Sequence, residues 1–193
     1  MSKLPRSTPE KQGIPSESIG GFLADIAKKS LELHSFMLLR NGHVVSEGWW
    51  DPYESELPHM LFSLSKSYTS TAVGFAVSEG LLSVDDTVLG FFEEYAPKGG
   101  PGPNLSAMKV RHLLSMSTGH AQDTSDKMAE LSAATDNWAE AFFRLPVEYE
   151  PGTHFVYNSG ASYMLSAIVQ KLTGQTLLDY LTPRLFEPLG IEH

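Results

Sequence analysis

The spacing of apolar residues predicts that the chain begins with a helix and a β-hairpin. Apolar side chains recur at helical spacing over residues 19–26, and Pro15-Ser16-Glu17-Ser18 supplies helix start signals before them. Two short runs, 34–40 and 43–50, are separated by Asn41-Gly42. This dipeptide favours a type I′ turn, so we expect the two runs to form an antiparallel hairpin.

Further helices are predicted in the remainder of the chain. The segment 63–79 is rich in Ser, Thr, Ala and Gly, and its small side chains favour a helix that is buried on most sides. Gly80 supplies a stop signal for this helix. Helical patterns also occur at 110–114, 126–144, 160–172 and 177–185. A helical region accompanying an antiparallel hairpin indicates an α+β fold.

The chain is predicted to form a single domain over residues 1–193. Its 193 residues can bury one sizeable core, and 41% hydrophobic with 19% charged residues is typical of a globular protein. We find no internal repeat, low-complexity tract or interdomain linker. Residues 1–13 are polar and contain two prolines, so we expect an irregular lead-in.

Charge and composition exclude several classes of partner. A formal net charge of −9 and a pI near 5.2 disfavour nucleic acid and anionic membrane surfaces. The sequence contains no run of about 18 apolar residues, so no membrane span is predicted. The chain has no Cys and its seven His show no metal-ligand spacing, so we expect no metal site. We expect no organic cofactor either. A small molecule is the expected partner.

The N-terminal sequence bears on localisation. It carries basic residues but no apolar segment behind them, and so lacks the pattern of a signal peptide. This predicts a cytoplasmic chain. A mature chain from which a signal peptide was removed is the alternative.

Candidate chemistry lies at Ser63-Leu64-Ser65-Lys66, which matches the pattern S-x-x-K. This spacing puts a hydroxyl and an amine one helical turn apart on the same face. A serine hydroxyl becomes a good nucleophile when a neighbouring base accepts its proton, and a lysine amine can do so where burial lowers its pKa. At a helix N-terminus, the Ser63 N–H is also expected to point towards the oxyanion of a tetrahedral intermediate.

The same pattern occurs a second time at Ser106-Ala107-Met108-Lys109. This copy follows a Pro- and Gly-rich turn and enters an amphipathic segment, so its lysine is expected to be solvated. The first copy opens the small-residue helix. We therefore take Ser63 rather than Ser106 as the candidate nucleophile.

Several segments resemble the superfamily of class C β-lactamases and penicillin-binding proteins. The resemblance begins around the candidate nucleophile, at residues 61–67 (LFSLSKS), and continues at 79–86 (EGLLSVDD). Residues 110–119 are similar to the family segment R-H-L-L-T-H-T-S-G, and residues 151–159 to P-G-x-x-F-x-Y-S-N. Residues 10–18 match the usual opening. These segments occur in the family's order across nearly the whole chain.

The resemblance implies a β-lactamase/transpeptidase-like fold, in which a helical region packs on an antiparallel sheet. It also implies that Ser63 is the acylated nucleophile and that Lys66 and Tyr157 act together as general base and then acid. A phenol has an ordinary pKa of about 10, which an adjacent ammonium lowers. The alternative is that Tyr157 only packs beneath the helix at Gly160.

One departure from the family pattern concerns substrate binding. The family's Y-x-N is here Tyr157-Asn158-Ser159, with Ser where Asn is usual. Either Asn158 or Ser159 is therefore expected to meet the substrate. Serine at this position resembles the branch that contains esterases and 6-aminohexanoate oligomer hydrolases, which weakens a β-lactamase interpretation more than a hydrolase interpretation.

A second departure concerns the C-terminal part of the fold. The family's K-T-G or H-x-G motif is absent from the sequence, which ends at Pro188-Leu189-Gly190-Ile191-Glu192-His193. In the family that motif lies on a strand that supplies a second oxyanion donor and one wall of the pocket. We therefore expect a fold truncated before its C-terminal strands, with an open sheet edge available for self-association or complementation.

The sequence as a whole predicts a serine hydrolase that forms an acyl-enzyme on Ser63 with a small ester or amide. The nearest alternative is a β-lactamase or D,D-peptidase acting on penicillin-like or peptidoglycan substrates. An alternative of another class is a non-catalytic ligand-binding or sensor module, which the missing motif favours. The sequence leaves the substrate, the oligomeric state and the activity of this chain alone open.

Overall fold

The computed structural model describes residues 4–133 and 136–191. Contacts divide these residues into two compact units, one formed by residues 4–60 with 190–191 and the other by Leu61–Leu189. The sequence predicts one domain over residues 1–193. This stays a prediction, because two compact units can belong to one domain.

The first unit contains a helix and a two-stranded antiparallel sheet. The helix is α1 (Ser16–Lys28), and the strands are β1 (Ser35–Arg40) and β2 (His43–Trp49). Asn41 and Gly42 adopt φ angles of 51° and 74°, the left-handed values that a type I′ turn requires. The predicted helix and hairpin are therefore confirmed.

The predicted irregular lead-in is more ordered than expected over its described residues, 4–13. The Val44 N–H donates to the Pro5 carbonyl at 2.8 Å, and the Val44 carbonyl accepts the Ser7 N–H at 3.1 Å. Glu10–Gln12 form a short 3₁₀ turn. The lead-in thus covers part of the outer edge of β2, while β1 pairs with no other strand in the described part of the chain.

The second unit is helical. No described helix has the length and apolarity needed to cross a membrane. A short π-helical turn, Thr182–Phe186, lies between its last two helices. Its α-helices are α2 (Ser65–Ser78), α3 (Gly102–Ala107), α4 (Val110–Leu114), α5 (Ser125–Ser132), α6 (Trp138–Phe143), α7 (Ser159–Thr173), α8 (Leu177–Leu181) and α9 (Glu187–Leu189).

The core of the second unit is built around α7. Met164 and Ile168 on this helix are fully buried, and they belong to one apolar cluster with Val73 of α2 and Leu113 of α4. The helix ends at Gly174, whose φ of 69° is the left-handed cap conformation that glycine adopts without strain. Burial of its apolar face fixes the position of the N-terminus of α7, next to which the candidate site lies.

Helix α2 differs from its prediction. Its buried residues, Thr69, Ala72, Val73 and Ala76, form one face, whereas Gly74 and other positions of the helix are exposed. The expectation of burial on most sides is therefore wrong. Small side chains on one face are sufficient to let two helices approach closely, and they do not require burial of the other faces.

The predicted helix at 126–144 is two helices in the structure, α5 and α6. Asp136 has a φ of 52°, which is incompatible with a continuous α-helix. Asn137 then starts α6, because its side-chain oxygen accepts the Glu140 N–H at 3.0 Å. Residues 134–135 lie outside the described part. The amphipathic pattern of the sequence continues across this break and conceals it.

Candidate active site

Ser63 lies in a short 3₁₀ turn, Phe62–Leu64, that leads directly into α2. The α-helix thus begins at Ser65, two residues later than predicted. Phe62 has a φ of 46°, a left-handed value that is costly for a bulky residue and that turns the chain sharply just before Ser63. Lys66 Nζ lies 3.3 Å from Ser63 Oγ, as the S-x-x-K spacing predicts.

Tyr157 completes this group from a distant part of the chain. Its hydroxyl lies 2.5 Å from Ser63 Oγ, and Lys66 Nζ lies 4.9 Å from the centre of its ring. The side chain is 47% exposed, so it does not pack beneath the helix at Gly160. The structure therefore brings together Ser63, Lys66 and Tyr157, on a surface that is open to solvent.

The electrostatics of this group favour proton acceptance by Tyr157. The Lys66 side chain is the main cause that lowers the pKa of the Tyr157 phenol, and the Ser63 hydroxyl adds to it. Slight desolvation and the negative charge of Asp123 act in the opposite direction, without outweighing the first two. A phenol with a lowered pKa is a better acceptor for the Ser63 proton near neutral pH.

The second S-x-x-K segment forms no comparable pair. The Ser106 hydroxyl donates to the Gly102 carbonyl at 2.7 Å, within its own helix α3. That helix ends at Ala107, and Lys109 Nζ lies 3.2 Å from Asp85 Oδ1. The Lys109 side chain is 41% exposed in this ion pair, so it is accessible to solvent, as expected. Because the helix ends between Ser106 and Lys109, these two side chains do not meet as Ser63 and Lys66 do.

The structure places Asn158 and Ser159 in different surroundings. Asn158 is fully buried and caps α7, with its Oδ1 accepting from Ala161 N at 3.1 Å and from Thr124 Oγ1 at 2.8 Å. The structure therefore does not bring the Asn158 side chain to the open side of the site, because its acceptor is used within the fold. Ser159, the first residue of α7, is half-buried. Its contact with substrate stays a prediction.

The segment that carries Tyr157 is held by backbone hydrogen bonds to the loop after α4. The Val156 N–H donates to the Met116 carbonyl at 2.9 Å, and the Tyr149 N–H donates to the Gly119 carbonyl at 2.9 Å. Gly119 has a φ of 91°, and a Cβ there would lie 2.2 Å from the Tyr149 carbonyl oxygen. Only glycine fits this close approach, which sets the position of Tyr157 next to Ser63.

Asp123 is a site residue that the sequence did not indicate. Both of its carboxylate oxygens accept the Ser159 N–H, each at 3.1 Å, and Oδ1 also accepts the Ser125 N–H at 2.9 Å. Partial burial acts to raise the pKa of this carboxyl, but the N–H donors outweigh it and hold the pKa below its usual value. The sequence Asp123-Thr124-Ser125-Asp126 signals a helix start, and that signal does not reveal a partner 36 residues away.

Two histidines, His112 in α4 and His120 in the loop after it, make contacts within the fold. His112 Nδ1 accepts the Lys109 N–H at 3.1 Å, and burial lowers the pKa of His112. His120 is buried, with Nδ1 lying 2.8 Å from Thr118 Oγ1, and burial lowers its pKa to about 4. Within residues 4–133 and 136–191, no group of three or more His, Asp or Glu is arranged to hold a metal ion.

Comparison with known proteins finds hydrolases among the relatives of this chain. The chain is 30% identical over 152 residues to lovastatin esterase from Penicillium rubens. The aligned region covers 68% of this chain and 37% of the relative. It is 28% identical over 145 residues to an N-acetylmuramyl-L-alanine amidase from Bacillus subtilis, covering 69% of this chain and 32% of the relative. The chain therefore spans only about a third of the length of these two relatives.

A solved structure shows the same fold. The octameric penicillin-binding protein homologue from Pyrococcus abyssi superposes with a TM-score of 0.66 at 22% identity, over 92% of this chain and 43% of that one. This confirms the predicted β-lactamase/transpeptidase-like fold class, of which the chain holds the N-terminal part. The sequence model of the Beta-lactamase family matches residues 27–193. The chain belongs to the Beta-lactamase family.

Proposed function

We propose that the chain is the part of a serine hydrolase that carries the nucleophile and its base, and that its substrate is a small ester or amide. One observation carries the proposal. The Ser63 hydroxyl lies 2.5 Å from the Tyr157 hydroxyl and 3.3 Å from the Lys66 ammonium, which is the arrangement that activates a serine. Ser63 and Tyr157 are both exposed, so a substrate can reach them.

Acylation begins when the Tyr157 phenolate accepts the Ser63 proton and Oγ attacks the substrate carbonyl carbon. The resulting tetrahedral intermediate collapses when Tyr157 returns that proton to the leaving alcohol or amine, which departs and leaves an ester on Ser63. The positive charge of Lys66 stabilises the phenolate in the first step. Water then attacks the ester by the same steps, and Ser63 recovers its proton.

The Ser63 N–H is the proposed donor to the oxyanion of both intermediates. Within the described residues it makes no backbone hydrogen bond, because it lies in the first turn that leads into α2. A backbone donor at this place is fixed before the substrate arrives, so it stabilises developing charge without reorganisation.

An uncharged, apolar acyl group is the favoured substrate feature. The residues on either side of Ser63, Phe62 and Leu64, are 72% and 53% exposed, and Phe155 near Tyr157 is 73% exposed. Contiguous exposed apolar surface commonly marks a contact site for a ligand. The similarity to lovastatin esterase supports an ester substrate, and the similarity to N-acetylmuramyl-L-alanine amidase keeps a cell-wall amide or β-lactam as the second candidate.

Hydrolysis of two chromogenic substrates separates these candidates. We expect the chain to hydrolyse p-nitrophenyl butyrate at least about tenfold faster than a chromogenic cephalosporin, because apolar rather than charged side chains flank Ser63. The Ser63→Ala variant measures the background rate. Faster hydrolysis of the cephalosporin would favour the β-lactamase candidate, and background rates on both substrates would favour a non-catalytic binding module.

A further inference from the structure

Asp123 connects the loop before α5 to the residue that starts α7. Its two carboxylate oxygens receive the same N–H group, that of Ser159, at 3.1 Å each. Ser159 lies two residues after Tyr157, and its N–H is one of the donors at the helix N-terminus that have no partner within the helix. The carboxylate therefore holds the chain immediately after Tyr157.

A second contact next to it makes this attachment rigid. Thr124, the neighbour of Asp123, donates its N–H at 3.3 Å and its hydroxyl at 2.8 Å to Asn158 Oδ1. Thr124 and Asn158 are both buried. Two consecutive residues of the loop thus hold two consecutive residues of the turn, and Tyr157 immediately precedes those two in the chain.

Asp123 also acts on Tyr157 through its charge. Among the described residues, the charged groups that act on the Tyr157 phenol are the Lys66 ammonium from α2 and the Asp123 carboxylate from the loop. Lys66 lowers the pKa of the phenol and Asp123 raises it, with Lys66 the stronger of the two. The pKa of Tyr157 therefore depends on two opposite charges, and the positive charge of Lys66 has the larger effect.

We propose that Asp123 is a positioning residue for Tyr157, which fixes the Tyr157 turn through the Ser159 N–H. This inference rests on the proposed function, in which Tyr157 is the base. In the reaction, the carboxylate keeps the hydroxyl within reach of Ser63 Oγ.

Two substitutions separate the hydrogen bond that Asp123 accepts from the effect of its charge. Asp123→Asn keeps an oxygen acceptor for the Ser159 N–H but removes the charge, so the pKa of Tyr157 falls and the rise of activity with pH moves to lower pH. Asp123→Ala removes both, and we expect the rate to fall about tenfold to a hundredfold, because small displacements of a catalytic group are costly. Asp126→Asn and Asp126→Ala, at an exposed position three residues further along, are the matched controls.

The experiment uses two readouts on the 193-residue chain. Titration of ¹³Cζ-labelled tyrosine by NMR, with the Tyr157 signal assigned from Tyr157→Phe, follows the phenol whether or not the chain turns over. The pH profile of p-nitrophenyl butyrate hydrolysis follows the rate. We expect Asp123→Asn to move the Tyr157 titration and the rising limb of the profile to lower pH together, while the Asp126 variants match the wild type in both.

The outcomes distinguish this inference from the proposed function. An Asp123→Ala rate equal to that of Asp126→Ala would overturn the inference alone. Absence of Ser63-dependent hydrolysis in the wild type would overturn the proposed function. The positioning role of Asp123 in the reaction would fall with it, even if the NMR titration still moved.

Discussion

Replacing Tyr157 by Phe is expected to lower the rate of Ser63 acylation by about 10²- to 10⁴-fold, the usual contribution of a general base. The substitution removes only the hydroxyl that lies 2.5 Å from Ser63 Oγ. The half-exposed ring remains, so the free energy of unfolding should change by less than about 0.5 kcal/mol. The rate constant for labelling by a fluorophosphonate probe, followed by intact mass, measures the effect.

Tyr163→Phe is the matched control for this substitution. Tyr163 is also a partly exposed tyrosine of the same unit, on α7, where its ring packs against Trp138. Its loss of a hydroxyl should leave the labelling rate within about twofold of the wild type, since it touches none of the three candidate residues. Equal rates for Tyr157→Phe and Tyr163→Phe would show that Tyr157 is not the base.

Gly160→Ala is expected to lower the free energy of unfolding by about 2–4 kcal/mol. A Cβ at this position would lie 2.0 Å from Thr124 Oγ1 and 2.5 Å from Met128 Sδ. Both neighbours are buried, and the Thr124 hydroxyl donates to Asn158 Oδ1. The methyl group must therefore displace the contact that holds the Tyr157 turn. Urea denaturation at equilibrium measures the change.

Gly74→Ala is the control for the same change of side chain. Gly74 lies on the exposed face of α2, and a Cβ there would meet nothing within 4 Å. Alanine in the interior of a helix is favoured over glycine by about 0.5–1 kcal/mol, so this variant should be slightly more stable. If Gly160→Ala denatures at the same urea concentration as Gly74→Ala, the close approach of α7 to Thr124 is not as described.

Local patterns account for the parts of the fold and site that could be predicted. The hairpin turn depends on two adjacent residues, Asn41-Gly42, and the Ser63–Lys66 contact depends on a spacing of three within one turn. Tyr157 is different, because it meets Ser63 across 94 residues of sequence. No periodicity reveals such a contact, and only the resemblance of residues 151–159 to a family segment placed it at the site.

The features that were missed depend on partners far along the chain. Asn158 is a candidate ligand residue by its position after Tyr157, but its burial depends on Thr124, 34 residues earlier. The role of Asp123 likewise depends on the Ser159 N–H. The break before α6 was missed for another reason, because the left-handed Asp136 lies inside a pattern whose apolar spacing continues on both sides.

The central claim is that Ser63 is the activated nucleophile, and the most direct test is to identify which serine a fluorophosphonate probe modifies. After reaction with a fluorophosphonate probe, we expect the intact mass of the wild type and of Ser106→Ala to increase by one probe adduct, and that of Ser63→Ala to remain unchanged. Ser106 is the appropriate control because it begins the second S-x-x-K segment but bonds within its own helix. An adduct on folded Ser63→Ala equal to that of the wild type, or no adduct on a folded wild-type chain, would contradict the assignment of Ser63 as the activated nucleophile.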